Sequence, residues 1–542
     1  MSKIGSLLIA AAFLSLVSCR TSETENNNLA IGTTAQIKIN FLGAAFKDNN
    51  APSQASATGK NLTALPQSKS ILINPSTAMT VGLSPVSSNG KVSAQAGLKN
   101  TMAVVSGDPL TSGVKFRLIA YKTSDGSYQS YQDYTIGQAA PSITLDNGVA
   151  YTIVAYSYGT SSLPPISSGE TGTISNAQIS YDNLNRDLMY VKQAYTPSSS
   201  NTTLNLTLMH QLSQIITNVT TNIGALNNVI NAVLTPHFSN GTFPLNTGVM
   251  TGRSTSAPQS IVFNQNDFPA VVNTTVSAPA VLVNSSTTGN GAAFSADVNI
   301  DGTIKTISFT NAFDVTPGTQ NNLNILISKC GAWMDAAHTQ WKVFACQNLG
   351  ATAGIDPFSP EAGNHGAKYQ WGYNPANLNV SDNRYLTQTN DQQYTGTPPA
   401  GWSNTTMPDD VWNGNTAGGF NNPCSAGYRV PTTAEWNAVL ANITIERTNT
   451  SWANSSTNFG SALYIKDPVS NNRTLMLPSA GNRYNVNGTL SHRGDTGIYW
   501  TSTWGFNAGT PIADDLEFDA TTALVNRWYT RAMGYSVRCI AE

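Results

Sequence analysis

The sequence predicts a mainly β protein whose last part is a smaller α+β unit. Three observations carry that prediction. Charged residues make up only 11% of the 542, against roughly 25% in average soluble chains; Asn, Thr, Ser and Gln supply the polar surface instead. Apolar and polar residues alternate over short runs through the first three hundred positions, the period of half-buried strands. After Cys19, every cysteine lies at or beyond Cys330, which marks the final part off from the rest. The length suggests two to four domains. Too little Glu and Lys is present for long coiled coils or helical bundles, and a net charge of −2 implies no nucleic-acid partner.

The chain opens with Lys3 followed by an apolar run from Ile4 to Val17, too short for a stable membrane-spanning helix and shaped like a targeting segment. It ends Leu16-Val17-Ser18-Cys19, which resembles a bacterial lipobox. That resemblance implies a signal peptide over 1–19, lipidation of Cys19 and anchoring in the outer membrane. The other reading is an ordinary signal peptide with a chance cysteine. Residues 20–30 are polar and read as a tether.

A first β lobe is expected over 31–197. Val114, Phe116, Leu118 and Ala120 point one way with Lys115 and Arg117 between them, and VAYTIVAYS from Val149 to Ser157 is a second strand. Asn49 to Lys99 is rich in Ser, Asn, Ala and Pro and reads as long loops or partly disordered chain. Met189–Tyr195 closes the lobe, and Pro197–Asn201 is a linker. A second lobe is expected over 198–328, opening with the alternation of Leu204, Leu206 and Leu208. Leu226, Val229, Ile230 and Val233 have helical spacing, so a short helix or a crossing turn is expected there. ADVNIDGTIKTISF, Ala296 to Phe309, reads as a hairpin about Asp301-Gly302. Leu323–Ile327 is one more strand.

In the last part, 329–542, NPCSAGYRVPTTAEWNAVL reads as a cysteine, a turn, a short strand stopped by Pro431, and a helix. Thr432 and Glu435 have the spacing of a capping box, and Trp436, Val439 and Leu440 share one face. Four cysteines of an exported chain allow three pairings. The favoured pairing is Cys330–Cys346, stapling a hairpin, with Cys424–Cys539. The latter closes a loop of about 115 residues and contributes about 3–5 kcal/mol in the chain-entropy model. No CxxC or close histidine partner favours a metal site.

These landmarks carry a resemblance. NPCSAGYRVPTTAEW, LPSAGNRYNVNGTL, GIYWTST and GYSVRCI resemble, in order, the Fibrobacter succinogenes major paralogous domain, with Tyr428 and Val430 as mild departures. That domain is similar to the C-type lectin-like and formylglycine-generating-enzyme folds. The family pattern implies that Trp500 packs inside. Further forward, the lipobox, YTIVAYSYG and DLMYVKQAYTPSSSNTTLNLTLMHQLSQIITNV resemble the fimbrillin family of Bacteroidetes surface lipoproteins over about Ala30 to Ser328. The two resemblances together imply two transthyretin-like β-sandwich lobes followed by an α+β C-type lectin-like domain. Fimbrillins assemble into pili by strand exchange, so other pilin subunits are implied partners.

Chemistry is sparse. HExxH, GxSxG, GxxxxGK[ST] and GxGxxG are all absent, the five histidines are scattered, and no cofactor is implied. His210 reads as a packed structural histidine. Asp514, Asp515 and Glu517 are weak Ca²⁺ candidates, set against a solvated loop with ordinary charges. The stronger signal is aromatic. Trp504, Phe506, Asn507, Asn526, Arg527, Trp528, Tyr529 and Arg531 are candidate ligand contacts, since aromatics and Arg dominate binding hot spots and flat rings suit sugars. The resulting expectation is a lipid-anchored cell-surface adhesin, a pilus tip in one version, binding a glycan or a surface protein. The alternatives are a glycan-binding lipoprotein for nutrient uptake, a retroelement-diversified display protein with Leu524–Tyr535 as its variable stretch, and an enzyme of the formylglycine-generating type.

Overall fold

Alternating residues build three bodies of β-structure in the computed structural model. It describes residues 33–47, 67–86, 108–182, 186–198, 202–222, 226–272, 274–300, 302–376, 383–395, 399–412 and 421–542, with the backbone alone at 526–528. The expected signal peptide, the Cys19 lipidation site and the tether lie outside the described residues.

The first body is a seven-stranded sheet in the order Tyr128–Thr135, Lys115–Lys122, Tyr151–Ser157, Met189–Tyr195, Thr203–His210, Thr34–Ala45, Ile143–Asp146. Its neighbours are antiparallel except Thr34–Ala45 with Thr203–His210, which run parallel. Phe116, Leu118, Ala120, Ile153 and Leu206 fill one face. Ile119, Tyr121, Val154 and Tyr156 fill the other, beneath the pair Gln178–Tyr181 and Gly241–Pro244. Lys115–Lys122 is therefore a central strand buried on both sides, not half-buried. Arg117, expected to face out, is 2% exposed and ion-paired to Asp133 at 2.7 Å. His210 packs as expected, stacked on Phe46 with Asp187 2.9 Å from its Nδ1.

The second body is a sandwich. One sheet runs Gln67–Asn74, Thr77–Pro85, Gln320–Lys329, Ser213–Thr221, with two short strands, Thr275–Ser277 and Val281–Val283, on its far edge. The other runs Gln259–Ile261, Leu226–Thr235, Ala292–Ile300, Thr303–Phe313. Their inner faces share one apolar core that includes Met79, Val81, Ile215, Val229, Phe294, Phe309, Leu323 and Ile325. The hairpin expected at 301–302 is present, with Ile300 opposite Thr303.

Three expectations need correction. The 67–85 stretch, read as loop, is a β-hairpin inside the second sheet. Thr203–His210, expected to open the second lobe, belongs to the first sheet, so the chain crosses the expected 31–197 and 198–328 division in both directions. Leu226–Thr235 is a strand and not a helix.

The third body begins at Gly331, and among the described residues no strand from the front half enters its sheets. One five-stranded sheet runs Tyr385–Leu386, Lys368–Gln370, Gly534–Tyr535, Ala480–Arg483, Leu490–Arg493. A three-stranded meander, Gly497–Asn507, Thr510–Phe518, Ala523–Thr530, lies in the chain between that sheet's strands Leu490–Arg493 and Gly534–Tyr535. The helix Thr433–Ala441 carries the complete capping box of Thr432 and Glu435. It buries Trp436 and Val439 fully. Both favoured disulfides are formed, Cys330–Cys346 and Cys424–Cys539, and Trp500 is fully buried.

The second and third bodies are joined by more than the connecting chain. At the turn of the 67–85 hairpin, the Cys330 N–H donates to the Ser76 carbonyl and the Cys346 N–H to that of Pro75, both at 2.8 Å. The Ser70 N–H donates to Asp356 Oδ2 at 2.7 Å. Met79, Val81 and Leu83 face the sandwich, while Ala78, on the opposite face of the same strand, packs with Cys330 and with Phe344 and Trp436 of the third body.

Candidate functional site

The third body carries a hollow where three of its elements meet. The meander contributes Ile498, Glu517 and Tyr529. The turn between Ala480–Arg483 and Leu490–Arg493 contributes Tyr484. Tyr535 lies on the strand between, and Met533 precedes it. Together with Asn482 and His492 they bound a cavity of about 140 Å³. Tyr484, Tyr529 and Met533 also border an open groove of about 490 Å³, lined by Asn485, Asn507, Thr510 and Thr530. The two hollows thus share these three side chains as walls.

Buried charge holds the Tyr484 turn in place. Asp391, 1% exposed, receives Arg483 Nε at 2.7 Å and Arg493 Nη2 at 2.6 Å. Arg483 Nη1 donates to the Tyr394 carbonyl at 2.6 Å and to that of Gly488 at 3.3 Å. Gly488 has φ +72°, and a Cβ there would meet Trp402 and Pro399 at 2.8 Å, so the turn requires glycine. Burial works to raise the Asp391 carboxyl, but Lys368, Arg483 and Arg493 hold it below its ordinary value. Lys368 itself is pushed down to about 8, mainly by burial, with Asp391 opposing.

The floor is unusual in its polar atoms. Two lining atoms, Asn482 Oδ1 and the Tyr535 hydroxyl, are buried without a hydrogen-bond partner, and so are both carboxyl oxygens of Asp515, which does not itself line the cavity. Asp515 stands two residues from Glu517 on the same face of its strand. Burial, then Glu517 and Asp514, push its carboxyl up to about 8. The Tyr535 hydroxyl is raised well above its ordinary value by burial first and Asp515 second. Buried polar atoms without partners are uncommon in native proteins, and in a lined hollow they are open to a water or a ligand. A larger cleft of about 410 Å³ at the junction of the second and third bodies, lined by Leu72, Pro75, Leu349 and Tyr428, lacks that feature. None of its lining side chains carries a buried polar atom without a partner.

The sequence-based contact set divides. Phe506 is 56% and Tyr529 37% exposed, and Asn507 and Tyr529 line the groove. Trp504 is half-buried, edge-to-face with Phe506 at 6.0 Å. Arg531 is a correction: it is fully buried, paired to Asp409 at 2.6 Å, and donates to the carbonyls of Ile512, Met407 and Gly505. Its guanidinium lies 4.7 Å from the Trp371 ring centre and 5.1 Å from that of Trp504, so it supports the aromatic tip from beneath. The side chains of Asn526, Arg527 and Trp528 lie outside the described residues. Asp514, Asp515 and Glu517 form neither a Ca²⁺ site nor a solvated loop. They lie on the strand Thr510–Phe518, where neighbouring side chains face opposite ways, and Asp514 accepts from Thr433 Oγ1 at 2.6 Å. Among the described residues no group of His, Cys, Asp or Glu is placed to hold a metal. Sequence reasoning missed Asn482, Tyr484 and Tyr535. The signal was present in AGNRYNVNG, an aromatic inside an Asn-Gly turn.

Residues 101–341 match the family model described as fimbrillin-like. The fimbrillin-like match stops before the groove begins. No curated protein matches the chain. Among solved structures, the chain is similar to a "putative cell adhesion protein" from Bacteroides uniformis, with 12% identity over 40% of this chain and 90% of that one, and a TM-score of 0.30. A protein described in the same words from Bacteroides fragilis has 11% identity over 54% and 92%, with a TM-score of 0.28. A fimbrial assembly protein from Parabacteroides distasonis has 8% identity over 42% and 86%, with a TM-score of 0.26.

Proposed function

We propose that this chain is a cell-surface adhesion subunit of the fimbrillin type, with a fimbrillin-like front portion that carries a ligand-binding C-terminal body. The fimbrillin-like match over residues 101–341 is the observation that carries this reading. The Tyr484–Tyr529 groove, with exposed Phe506 at its rim, adds the binding function. Lipidation at Cys19 and residence on the outer membrane complete the proposal, with pilin subunits and a glycan or surface protein as partners. The C-terminal body is read as C-type lectin-like on its sequence landmarks, and both of its cysteine pairs are closed, which leaves that body no free thiol and favours binding over the thiol chemistry of the enzyme alternative.

The test is adherence of cells displaying the full chain to glycan and protein arrays. A Tyr484→Ala/Tyr529→Ala double variant is expected to lose at least tenfold in retained cells, as for hot-spot aromatics. Unchanged adherence, with the variant displayed at normal level, overturns the groove as the adhesive site.

A further inference from the structure

We infer that the cavity of about 140 Å³ receives the acetamido group of an N-acetylhexosamine whose ring lies in the neighbouring groove; this rests on the binding role proposed above and narrows its ligand to an N-acetylated glycan. The first ground is hydrogen bonding. Asn482 and Tyr535 line the cavity from adjacent antiparallel strands. Arg483 pairs with Gly534, so Asn482 stands opposite Tyr535 and the two side chains leave the same face of the sheet. They are 3% and 0% exposed, yet Asn482 Oδ1 and the Tyr535 hydroxyl have no partner among the described residues. The amide oxygen only accepts. Burial first, and Asp515 second, raise the Tyr535 hydroxyl well above its ordinary value, so it keeps its proton and can donate. The hollow is suited to one donor and one acceptor.

The second ground is complementarity. An acetamido group brings both, an N–H for Asn482 and a carbonyl for Tyr535. It also ends in a methyl, and Ile498 and Met533 give the cavity an apolar wall. A lone hydroxyl gives and takes a hydrogen bond too, but it leaves that wall without dispersion contacts. Neither hydrogen bond draws on Glu517, which also borders the cavity.

The third ground is size and the chemistry of the groove. Pockets that bury a whole small ligand run to about 300–1,000 Å³. At about 140 Å³ the cavity takes a substituent, while the groove of about 490 Å³ takes the ring. Tyr484 and Tyr529, which wall both hollows, are 51% and 37% exposed. Their faces carry the negative side of the ring quadrupole, which attracts the slightly positive C–H groups of a pyranose. Asn485, Asn507, Thr510 and Thr530 line the groove with amides and hydroxyls, groups that donate and accept as sugar hydroxyls do. Acetyl-lysine carries the same acetamido group on a methylene stem with no hydroxyls for those partners, so the sugar is the better fit.

The experiment uses the full chain and two probes, the methyl glycosides of N-acetylglucosamine and N-acetylgalactosamine, read by saturation-transfer NMR. The methyl glycosides of glucose and galactose, and Nε-acetyl-lysine methylamide, serve as comparators. At least one acetamido glycoside is expected to bind tenfold or more tightly than its plain counterpart, with saturation strongest at the acetyl methyl. Tyr535→Phe removes only the unpartnered hydroxyl and should cut that preference at least threefold with thermal melting unchanged. If Tyr535→Phe does not fold, Asn482→Ala takes its place with the same expected loss. Equal binding of the plain glycosides overturns the inference, as does full affinity in the folded variant. Failure of both acetamido glycosides to bind, or tighter binding of the acetyl-lysine amide, also overturns it. Should the Tyr484→Ala/Tyr529→Ala variant lose adherence while neither acetamido glycoside binds, the adhesive groove stands and only its sugar assignment falls. Tyr535-dependent binding of an acetamido glycoside alongside unaltered adherence has the opposite meaning: the sugar site stands and its adhesive role falls.

Discussion

The second and third bodies solve the problem of a buried interior differently. Among the described residues from Ser213 to Lys329 no Asp, Glu, Lys or Arg is buried. The third body buries Lys368, Arg384, Asp391, Arg483, Arg493, Asp514, Asp515, Arg531 and Arg538. The cause is backbone regularity. In the sandwich, long paired strands satisfy main-chain groups within the sheets, so side chains need only be apolar. The third body threads irregular segments through its interior, and their carbonyls need donors. Arginine, with five donors in a rigid fork, supplies them: Arg538 donates to Ala345, Cys346 and Met476, as Arg531 does under the groove. Charge is here a framing device for loops.

Four experiments sharpen that contrast, the largest effect first. Asp391→Ala leaves Arg483 and Arg493 buried without their carboxylate, a loss of about 3–5 kcal/mol for a broken buried pair. Calorimetry should show the transition of the third body moving down while that of the sandwich stays. Leu323→Ala, in the sandwich core, should cost about 2–5 kcal/mol through lost burial and cavity formation, with the opposite pattern of transitions. A comparable shift of both transitions in either variant would mean the two bodies melt as one unit.

The third experiment uses pH. The Asp515 carboxyl, held at about 8 in the folded chain, keeps a proton that the unfolded chain releases near pH 4. Its contribution is fully present below that pH and is lost as pH rises toward 8. Asp515→Asn should therefore melt higher than the parent at pH 8, by roughly 1–3 kcal/mol, with the gap closing toward pH 4. A constant gap across that range would place the effect elsewhere. The smallest change, Thr432→Ala, removes the cap that accepts the Glu435 N–H and should cost about 1 kcal/mol, read as a lower denaturant midpoint of the third body.

What the sequence disclosed follows the same division. The capping box, the two cysteine pairs, the 296–309 hairpin and the interior position of Trp500 were legible because each is local or rests on a strong pairwise signal. The Leu226–Thr235 strand was misread for a definite reason. It carries bulges, with register shifts between Leu226 and Asn228 and between Ile230 and Val233, and Asn231 has φ 53°. Each extra residue stretches the apolar period from two to three, so Leu226, Val229 and Ala232 are buried at near-helical spacing. The 67–85 hairpin was hidden by its polar composition, since Ser, Asn and Thr occupy its outward positions.

At the site, Phe506, Asn507 and Tyr529 were legible as aromatics and amides near the meander's tip. Asn482, Tyr484 and Tyr535 were not, because only the assembly of two sheets brings them to the same hollow. Arg531 was misassigned because an arginine among aromatics reads the same from sequence whether it meets a ligand or pins carbonyls from within.

The turn at Pro75 and Ser76 bears on mechanics. Its carbonyls receive the N–H groups of Cys330 and Cys346, the two ends of a covalent staple. Force arriving at the C-terminal body therefore passes into the sandwich through that cross-linked pair as well as along the connecting chain. A load shared between two routes resists peeling better than a single hinge does.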